Sequence, residues 1–174
     1  MSKYTDNVNS PKDILYNNVL LLSRNITFYT KFDLIDTFQN RINLIFIHIS
    51  FLFIQMKNNN KENLYKSFYQ NLFDLVFKKI EINMREIGYG DTVINKNMKF
   101  LVKIFYSILL NCQKYKDTNE DLKIKLLRKY LKTNNTKNIT NIMGIIDYFN
   151  KYEAFCLDLN SDSVLKGELN FNYK

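Results

Sequence analysis

The chain has few of the residues that build metal, nucleotide and catalytic sites. One histidine and two cysteines in 174 residues are too few for a closed zinc site of tetrahedral Cys and His ligands. The sequence has no Glu-x-x-His pair for a di-iron bundle, and neither a Gly-x-Gly-x-x-Gly nor a Gly-Lys-Ser/Thr phosphate loop. We therefore predict a protein that is not an enzyme and that uses no cofactor, metal or small-molecule substrate.

The one histidine and the two cysteines all lie in apolar helical patterns. His48 has no catalytic partner near it in the sequence, so we interpret it as a hydrogen-bonded core or interface residue. Cys112 and Cys156 are predicted to be buried, reduced thiols, which is typical of a cytoplasmic protein.

Long hydrophobic runs are also lacking. The most apolar run, residues 42–56, is interrupted by polar side chains and bracketed by Arg41 and Lys57, whereas a membrane span needs roughly 20 mostly apolar residues. We predict a buried core helix there.

Residues 1–10 resemble neither a signal nor a transit peptide. The predicted location is cytoplasmic, with peripheral binding at the inner face of the cytoplasmic membrane as the alternative.

Helical periodicity dominates what is present. Apolar residues recur at spacings of three and four, and the stretch 38–56 is apolar nearly all round, with a polar stripe through Asn43, Ser50 and Lys57. This pattern predicts an all-α, single-domain bundle of about six helices around a central apolar helix. The predicted helical stretches are 11–29, 38–56, 62–87, 94–115, 118–132 and 139–157.

The predicted domain organisation follows from these stretches. We expect a disordered N-terminus at residues 1–10, a helical domain at 11–160 and an irregular C-terminal tail at 161–174. Ser10-Pro11 has the pattern of a helix start with proline at the first helical position.

Two of the four glycines lie in the octapeptide Met84–Asp91. Ile87 continues the apolar series of the helix before it. Gly88 is predicted to follow the end of that helix, where a positive φ costs least, and Asp91 to cap the next one. Arg85 is interpreted either as a partner of Glu81 in a structural clasp or as a contact to another molecule.

The basic charge is concentrated in one segment. Residues 96–137 hold 11 basic and 3 acidic side chains, whereas the rest of the chain is close to neutral. Such a surface attracts the phosphates of RNA or of anionic lipids. The alternative is that lysine is the default solvated residue in a chain with 21 lysines and 25 asparagines. The candidates for binding an anionic surface, of the ribosome or of lipid, are Lys96, Lys99, Lys103, Lys123, Lys125, Arg128, Lys129 and Lys132.

The sequence resembles the ubiquinol–cytochrome c chaperone family, and its bacterial branch in particular, over residues 11 to 171. The most specific element is the octapeptide Met84–Asp91. The other matching residues are Arg24, Phe28-Tyr29, Asp36-Thr37-Phe38, Arg41, His48, Leu72-Phe73-Asp74, Val93, Lys96, Phe105-Tyr106, Tyr115, Arg128, Leu165-Lys166-Gly167-Glu168 and Phe171. The chain departs from the family pattern at Ile35, where the family tends to have proline, at Asn40, which replaces a glycine, and at Ser107-Ile108, which replace Gly-Arg.

The resemblance implies an all-helical fold and a role in receiving newly made cytochrome b and supporting its maturation into the cytochrome b-containing complex III. It also implies that this role is performed near the ribosomal tunnel exit, and in the mitochondrial branch of the family it implies a small co-chaperone. The anionic partner inferred from the basic segment is then either the ribosome or an anionic membrane surface. No catalytic residues come with it. The candidates for client or partner binding are Arg24, Arg41, Arg85, Glu86 and Tyr106.

Two other functions stay open from the sequence. The first is a ribosome- or RNA-binding helical module without chaperone activity. The second is a peripheral protein whose lysine surface binds anionic lipid.

Overall fold

The computed structural model describes residues 10–58, 62–135 and 139–173. The predicted disordered N-terminus, apart from Ser10, lies outside the described residues. Within them the chain forms eight helices: α1 (Pro11–Ser23), α2 (Thr27–Thr30), α3 (Phe38–Asn58), α4 (Glu62–Ile87), α5 (Asp91–Cys112), α6 (Glu120–Tyr130), α7 (Ile139–Asp158) and α8 (Ser161–Leu165).

The predicted all-α, single-domain bundle is confirmed. The six predicted helices correspond to α1 and α3–α7, and the two additional helices are short. The first predicted stretch, 11–29, is broken where Arg24 leaves the helical conformation as the C-cap of α1. The tail beyond Asn160 was expected to be irregular, but it begins with the one-turn helix α8, which Asn160 caps by accepting a hydrogen bond from the backbone NH of Asp162 at 2.9 Å.

Helix α3 is the centre of the bundle and packs against α1, α4, α5 and α7. Every residue from 42 to 53 is buried. This includes two members of the predicted polar stripe, Asn43 and Ser50, so most of that stripe faces the interior of the bundle. Asn43 donates to the carbonyl of Tyr130 at 2.6 Å, and Ser50 donates to the carbonyl of Phe46 at 2.7 Å. Hydrogen bonds to backbone carbonyls are what allow such polar groups to be buried.

Aromatic rings join α2, α3 and α7 in the core. Phe28 of α2 lies edge-on to Tyr148 of α7, with ring centroids 4.6 Å apart, and His48 of α3 lies 4.7 Å from Tyr152. Edge-to-face geometry of this kind is favoured by the quadrupoles of the rings. The short helix α2 therefore contributes to the fold mainly through one fully buried ring.

A polar contact between two connectors holds the start of α3 in place. The buried side chain of Asn40 donates to the carbonyls of Ile35 at 2.7 Å and Lys132 at 2.8 Å, and its oxygen accepts from the backbone NH of Lys132 at 3.0 Å. Asp33, in the left-handed region at φ 57°, accepts from the side chain of Asn134 at 2.8 Å. The asparagine that replaces the family's glycine thus ties the α2–α3 connector to the chain after α6.

The corner between α4 and α5 forms largely as predicted. Gly88 has a φ of +98°, and its NH donates to the carbonyl of Arg85 at 3.0 Å, while the NH of Tyr89 donates to the carbonyl of Met84 at 3.1 Å. These bonds close α4 with a glycine in the left-handed region. Asp91, however, is the first residue of α5 rather than its cap, which is Gly90.

Candidate interaction surfaces

A pocket of about 170 Å³ opens between α1, α3 and α4. It brings together Arg24, Arg41 and Glu86, which are three of the five residues predicted to contact a partner. The other lining residues are Tyr16, Leu20, Ser23, Phe38, Ile42, Ile45, Ile80, Asn83 and Ile87. The pocket therefore has an apolar floor and a charged rim.

Helix ends bring these charges to the rim. Arg24 follows the last turn of α1, Arg41 lies in the first turn of α3, and Glu86 lies in the last turn of α4. Arg41 binds Asp36 through two hydrogen bonds of 2.6 and 2.7 Å, and this contact lowers the pKa of Asp36. The side chains of Arg24 and Glu86 make no ion pair or hydrogen bond with another described residue, so both are available to a ligand.

A second groove, of about 320 Å³, adjoins the pocket. Phe38 lines both cavities. Exposed apolar side chains surround the pair: Ile87 is 62% exposed, Phe100 is 56% exposed and Tyr89 is 43% exposed. Large apolar side chains gathered around a cleft are typical of a binding surface. We call the pocket and this groove together the α3-start cleft.

Arg85 does not line the α3-start cleft. Its guanidinium lies 2.9 Å from Glu81 and 2.5 Å from Asp91, and these contacts raise its pKa. The clasp that the sequence suggested is present, with Asp91 as a second ion-pair partner. Arg85 thus joins the last turn of α4 to the first residue of α5 and helps to fix the corner that carries Tyr89.

Tyr106 also lies outside the cleft, between α4 and α5. Its ring centroid is 6.1 Å from that of Phe73 and 5.6 Å from that of Phe105. Burial and, after it, a hydrogen bond to Tyr106 raise the pKa of Tyr69. Tyr106 is 44% exposed, so part of its ring is accessible beside the lysines of α5.

The lysines of α5 share one exposed face. Lys96, Lys99 and Lys103 lie opposite the buried positions of the same helix, which are Ile94, Leu101, Phe105, Ile108 and Cys112. All three are solvent-exposed. They leave α5 with an apolar inner face and a cationic outer face.

The basic residues of α6 do not form one uniform surface. Lys123 is partly buried: its ammonium donates to Asn150 of α7 at 2.9 Å and lies 4.3 Å from the ring centroid of Tyr115. It therefore serves mainly to join α6 to its neighbours. Lys125, Arg128, Lys129 and Lys132 are exposed.

The buried titratable groups are held neutral. His48 is fully buried, with ring nitrogens 2.7 Å from the carbonyl of Leu44 and 2.8 Å from the hydroxyl of Tyr148, and burial lowers its pKa to about 4. Cys112 and Cys156 are buried free thiols, as predicted, and burial raises the pKa of each.

Among the described residues no cluster of His, Cys, Asp and Glu could hold a metal ion. No helix of the described part is long and apolar enough to cross a bilayer.

Sequence reasoning missed the apolar half of the α3-start cleft. Ile87 was expected in the core because it continues the apolar series of α4, but the helix ends there and the side chain is exposed at the pocket. Leu20 and Ile80 belong to ordinary core series. A large apolar residue directly before a terminating glycine is the one signal in the sequence that could have indicated exposure at Ile87.

The fold is an all-α bundle, and a cleft with charged and apolar lining residues opens on its surface. The sequence gives the family: the family model described as ubiquinol-cytochrome C chaperone matches residues 30–171, and the chain belongs to this family. The resemblance carried by Met84–Asp91 and its companions is thereby confirmed. The family supports a role in the assembly of complex III.

One solved structure agrees with the fold. The crystal structure of the Cbp3 homolog from Brucella abortus matches with a TM-score of 0.79 at 19% sequence identity, over 94% of this chain and 89% of that chain. At this level of identity the match shows that the two chains share the fold. A comparison with curated proteins gives no match.

Proposed function

We propose that this protein is an assembly chaperone for complex III that holds newly made cytochrome b in the α3-start cleft. The observation that carries the proposal is the meeting of Arg24, Arg41 and Glu86, at the ends of three separate helices, around one apolar pocket in a member of the chaperone family. Three predicted contact residues, far apart in the sequence, line one cavity.

The chemistry of the cleft suits a segment of a membrane protein. Its apolar floor and the exposed side chains of Ile87 and Phe100 offer contacts to an apolar helix before that helix reaches the bilayer. Arg24 and Glu86 at the rim would bind the polar groups that flank such a segment. Arg85 is a weaker candidate for direct contact, and we propose that it acts by fixing the corner beside the cleft.

We further propose that the outer face of α5 docks the protein on an anionic surface close to where cytochrome b is made. Lys96, Lys99 and Lys103 form this face, with Tyr106 beside them. The ribosome and the inner face of the cytoplasmic membrane both present the required phosphates. A small co-chaperone is a further partner that the family suggests.

Site-specific photo-crosslinking tests the cleft directly. A crosslinking side chain at position 87, 62% exposed at the cleft, is compared with one at position 157, where Leu157 is 40% exposed on α7. During synthesis of cytochrome b, we expect a crosslink from position 87 and none from position 157. Equal crosslinks from both positions, or none from either, would argue against the cleft as the client site.

The runner-up function is a ribosome- or RNA-binding module without chaperone activity, which the basic balance of residues 96–137 favours. It predicts binding to purified ribosomes that weakens steeply with salt, because phosphate contacts release counterions. It also predicts no crosslinks to cytochrome b from position 87. Crosslinks to cytochrome b that persist in high salt would exclude it.

A further inference from the structure

A third groove, of about 630 Å³, runs between the end of α5 and helix α6. Leu110, Leu122 and Leu126 line it, and Leu110 is 62% exposed while Leu122 is 51% exposed. None of these residues lines the α3-start cleft. Leucine side chains exposed around a concave surface are unfavourable in water. An apolar partner would stabilise the complex by burying them.

The rim of this groove carries charge of one sign. Lys114, Lys125 and Lys129 line it, and no acidic residue does. The side chains of Lys114 and Lys125 make no ion pair with another described residue. Lys129 lies over the ring of Tyr130, with its ammonium 5.0 Å from the ring centroid. An occupant with carboxylates along its edges would meet three cations and no repulsion.

The combination of an apolar floor and a cationic rim selects among possible occupants. RNA would use the lysines but would gain little from three leucines. A bilayer is flat on this scale, whereas the groove is concave. A second copy of this chain, docking symmetrically, would bring the same lysines face to face. An amphipathic helix with leucine-like residues on one side and carboxylates beside them satisfies both the floor and the rim.

We propose that the groove between the end of α5 and α6 binds an acidic amphipathic helix of a partner protein. The site is separate from the α3-start cleft, so partner binding here and client binding there can be tested independently. It assigns Lys125 and Lys129, which the sequence analysis offered as general contacts to an anionic partner, to a defined protein interface.

The test uses a synthetic helical peptide of about 18 residues, about 27 Å long, with leucines on one face and glutamates beside them. Its binding is followed by fluorescence anisotropy. The variant Lys125→Glu/Lys129→Glu should weaken binding by at least about tenfold, because two attractive contacts become repulsive. The matched control, Lys96→Glu/Lys99→Glu, makes the same charge change on α5 outside the groove and should stay within about twofold of the parent.

Two further measurements separate an interface from a loss of folding or a general anion effect. A peptide with lysines in place of its glutamates should bind Lys125→Glu/Lys129→Glu better than it binds the parent. Leu122→Asp, at an exposed position, should keep the parent's circular dichroism and lose peptide binding. The proposal is overturned if the peptide does not bind, if both charge variants lose binding equally, or if the groove variant loses binding only to anionic vesicles or to RNA.

Discussion

At the scale of single residues, His48 shows how the core controls a titratable group. A backbone carbonyl can only accept a hydrogen bond, so the Nδ1 of His48 carries the proton that it donates to Leu44. The neutral ring then has an acceptor at Nε2, and the hydroxyl of Tyr148 donates to it. Protonation would bury a positive charge and would require the Tyr148 hydroxyl to turn and accept a hydrogen bond from Nε2; the burial of that charge lowers the pKa of His48.

This arrangement predicts a pH dependence of stability. The pKa of His48 is 6.5 when unperturbed and about 4 in the folded protein. Between these values the unfolded chain binds a proton that the folded chain does not, so the free energy of unfolding falls as the pH falls, by about 3 kcal/mol in all. Urea unfolding at a series of pH values between 7 and 4 measures this decrease in the free energy of unfolding.

His48→Gln is the control for that experiment, since it keeps one donor and one acceptor and removes the titration. Carboxylates titrate in both proteins. The difference between their two plots of the free energy of unfolding against pH therefore isolates the contribution of His48. The variant's curve should be flatter over this range. Parallel curves would mean that His48 is protonated as easily in the folded state as in the unfolded state.

Two fully buried tyrosines form a matched pair for a second prediction. Tyr148 and Tyr115 are each 1% exposed, but only Tyr148 has a hydrogen-bond partner within the described part of the chain. Tyr148→Phe leaves Nε2 of His48 without a donor and should lower the free energy of unfolding by about 1–3 kcal/mol. Tyr115→Phe removes an unsatisfied hydroxyl and should leave stability unchanged or higher. Equal destabilisation in urea titrations would contradict this assignment.

At the scale of helices, the α4–α5 corner allows the effect of backbone conformation to be measured by itself. Gly88 and Gly90 each have open space where a Cβ would be placed, but only Gly88 has a positive φ. Gly88→Ala should cost about 1–2 kcal/mol, because a Cβ is strained in the left-handed region. Gly90→Ala should have the smaller effect, since it loses only a modest cap preference. Thermal melts of the two variants compare them, and an equal loss of stability would contradict the argument.

Much of the helical framework could be predicted because it depends on local patterns. The stretch 62–87 was predicted from apolar spacing and a terminating glycine, and α4 has the same bounds. The break between α1 and α2 was not predicted, because a single turn such as Thr27–Thr30 is too short to show a period of its own. The burial of Asn43 was missed because its partner, the carbonyl of Tyr130, lies 87 positions away.

The α3-start cleft could be predicted only in part, for the same reason. The resemblance singled out Arg24, Arg41 and Glu86, but no local pattern says that the ends of α1, α3 and α4 meet. That meeting depends on the packing of α1, α3 and α4 against one another. Exposure of Ile87 likewise depends on where the neighbouring helices stop.

At the scale of the whole molecule, we propose a separate binding role for each of three surfaces. The α3-start cleft would hold the client, the outer face of α5 would bind an anionic surface, and the groove beside α6 would bind a partner helix. Two of these three surfaces carry cations from residues 96–137, the segment that contains the excess basic charge. The residues that line the groove beside α6 do not line the α3-start cleft.

The central claim is that the cleft supports assembly of complex III. It is tested most directly by deleting the gene, restoring it in different forms and measuring assembled complex III against complex IV on native gels. The restored forms are the parent, Ile87→Asp at the cleft and Leu157→Asp at an exposed site on α7. We expect deletion to lower complex III selectively, the parent and Leu157→Asp to restore it, and Ile87→Asp to fail although the protein is folded and present. Equal loss of both complexes, loss of neither, or full restoration by Ile87→Asp would contradict the claim.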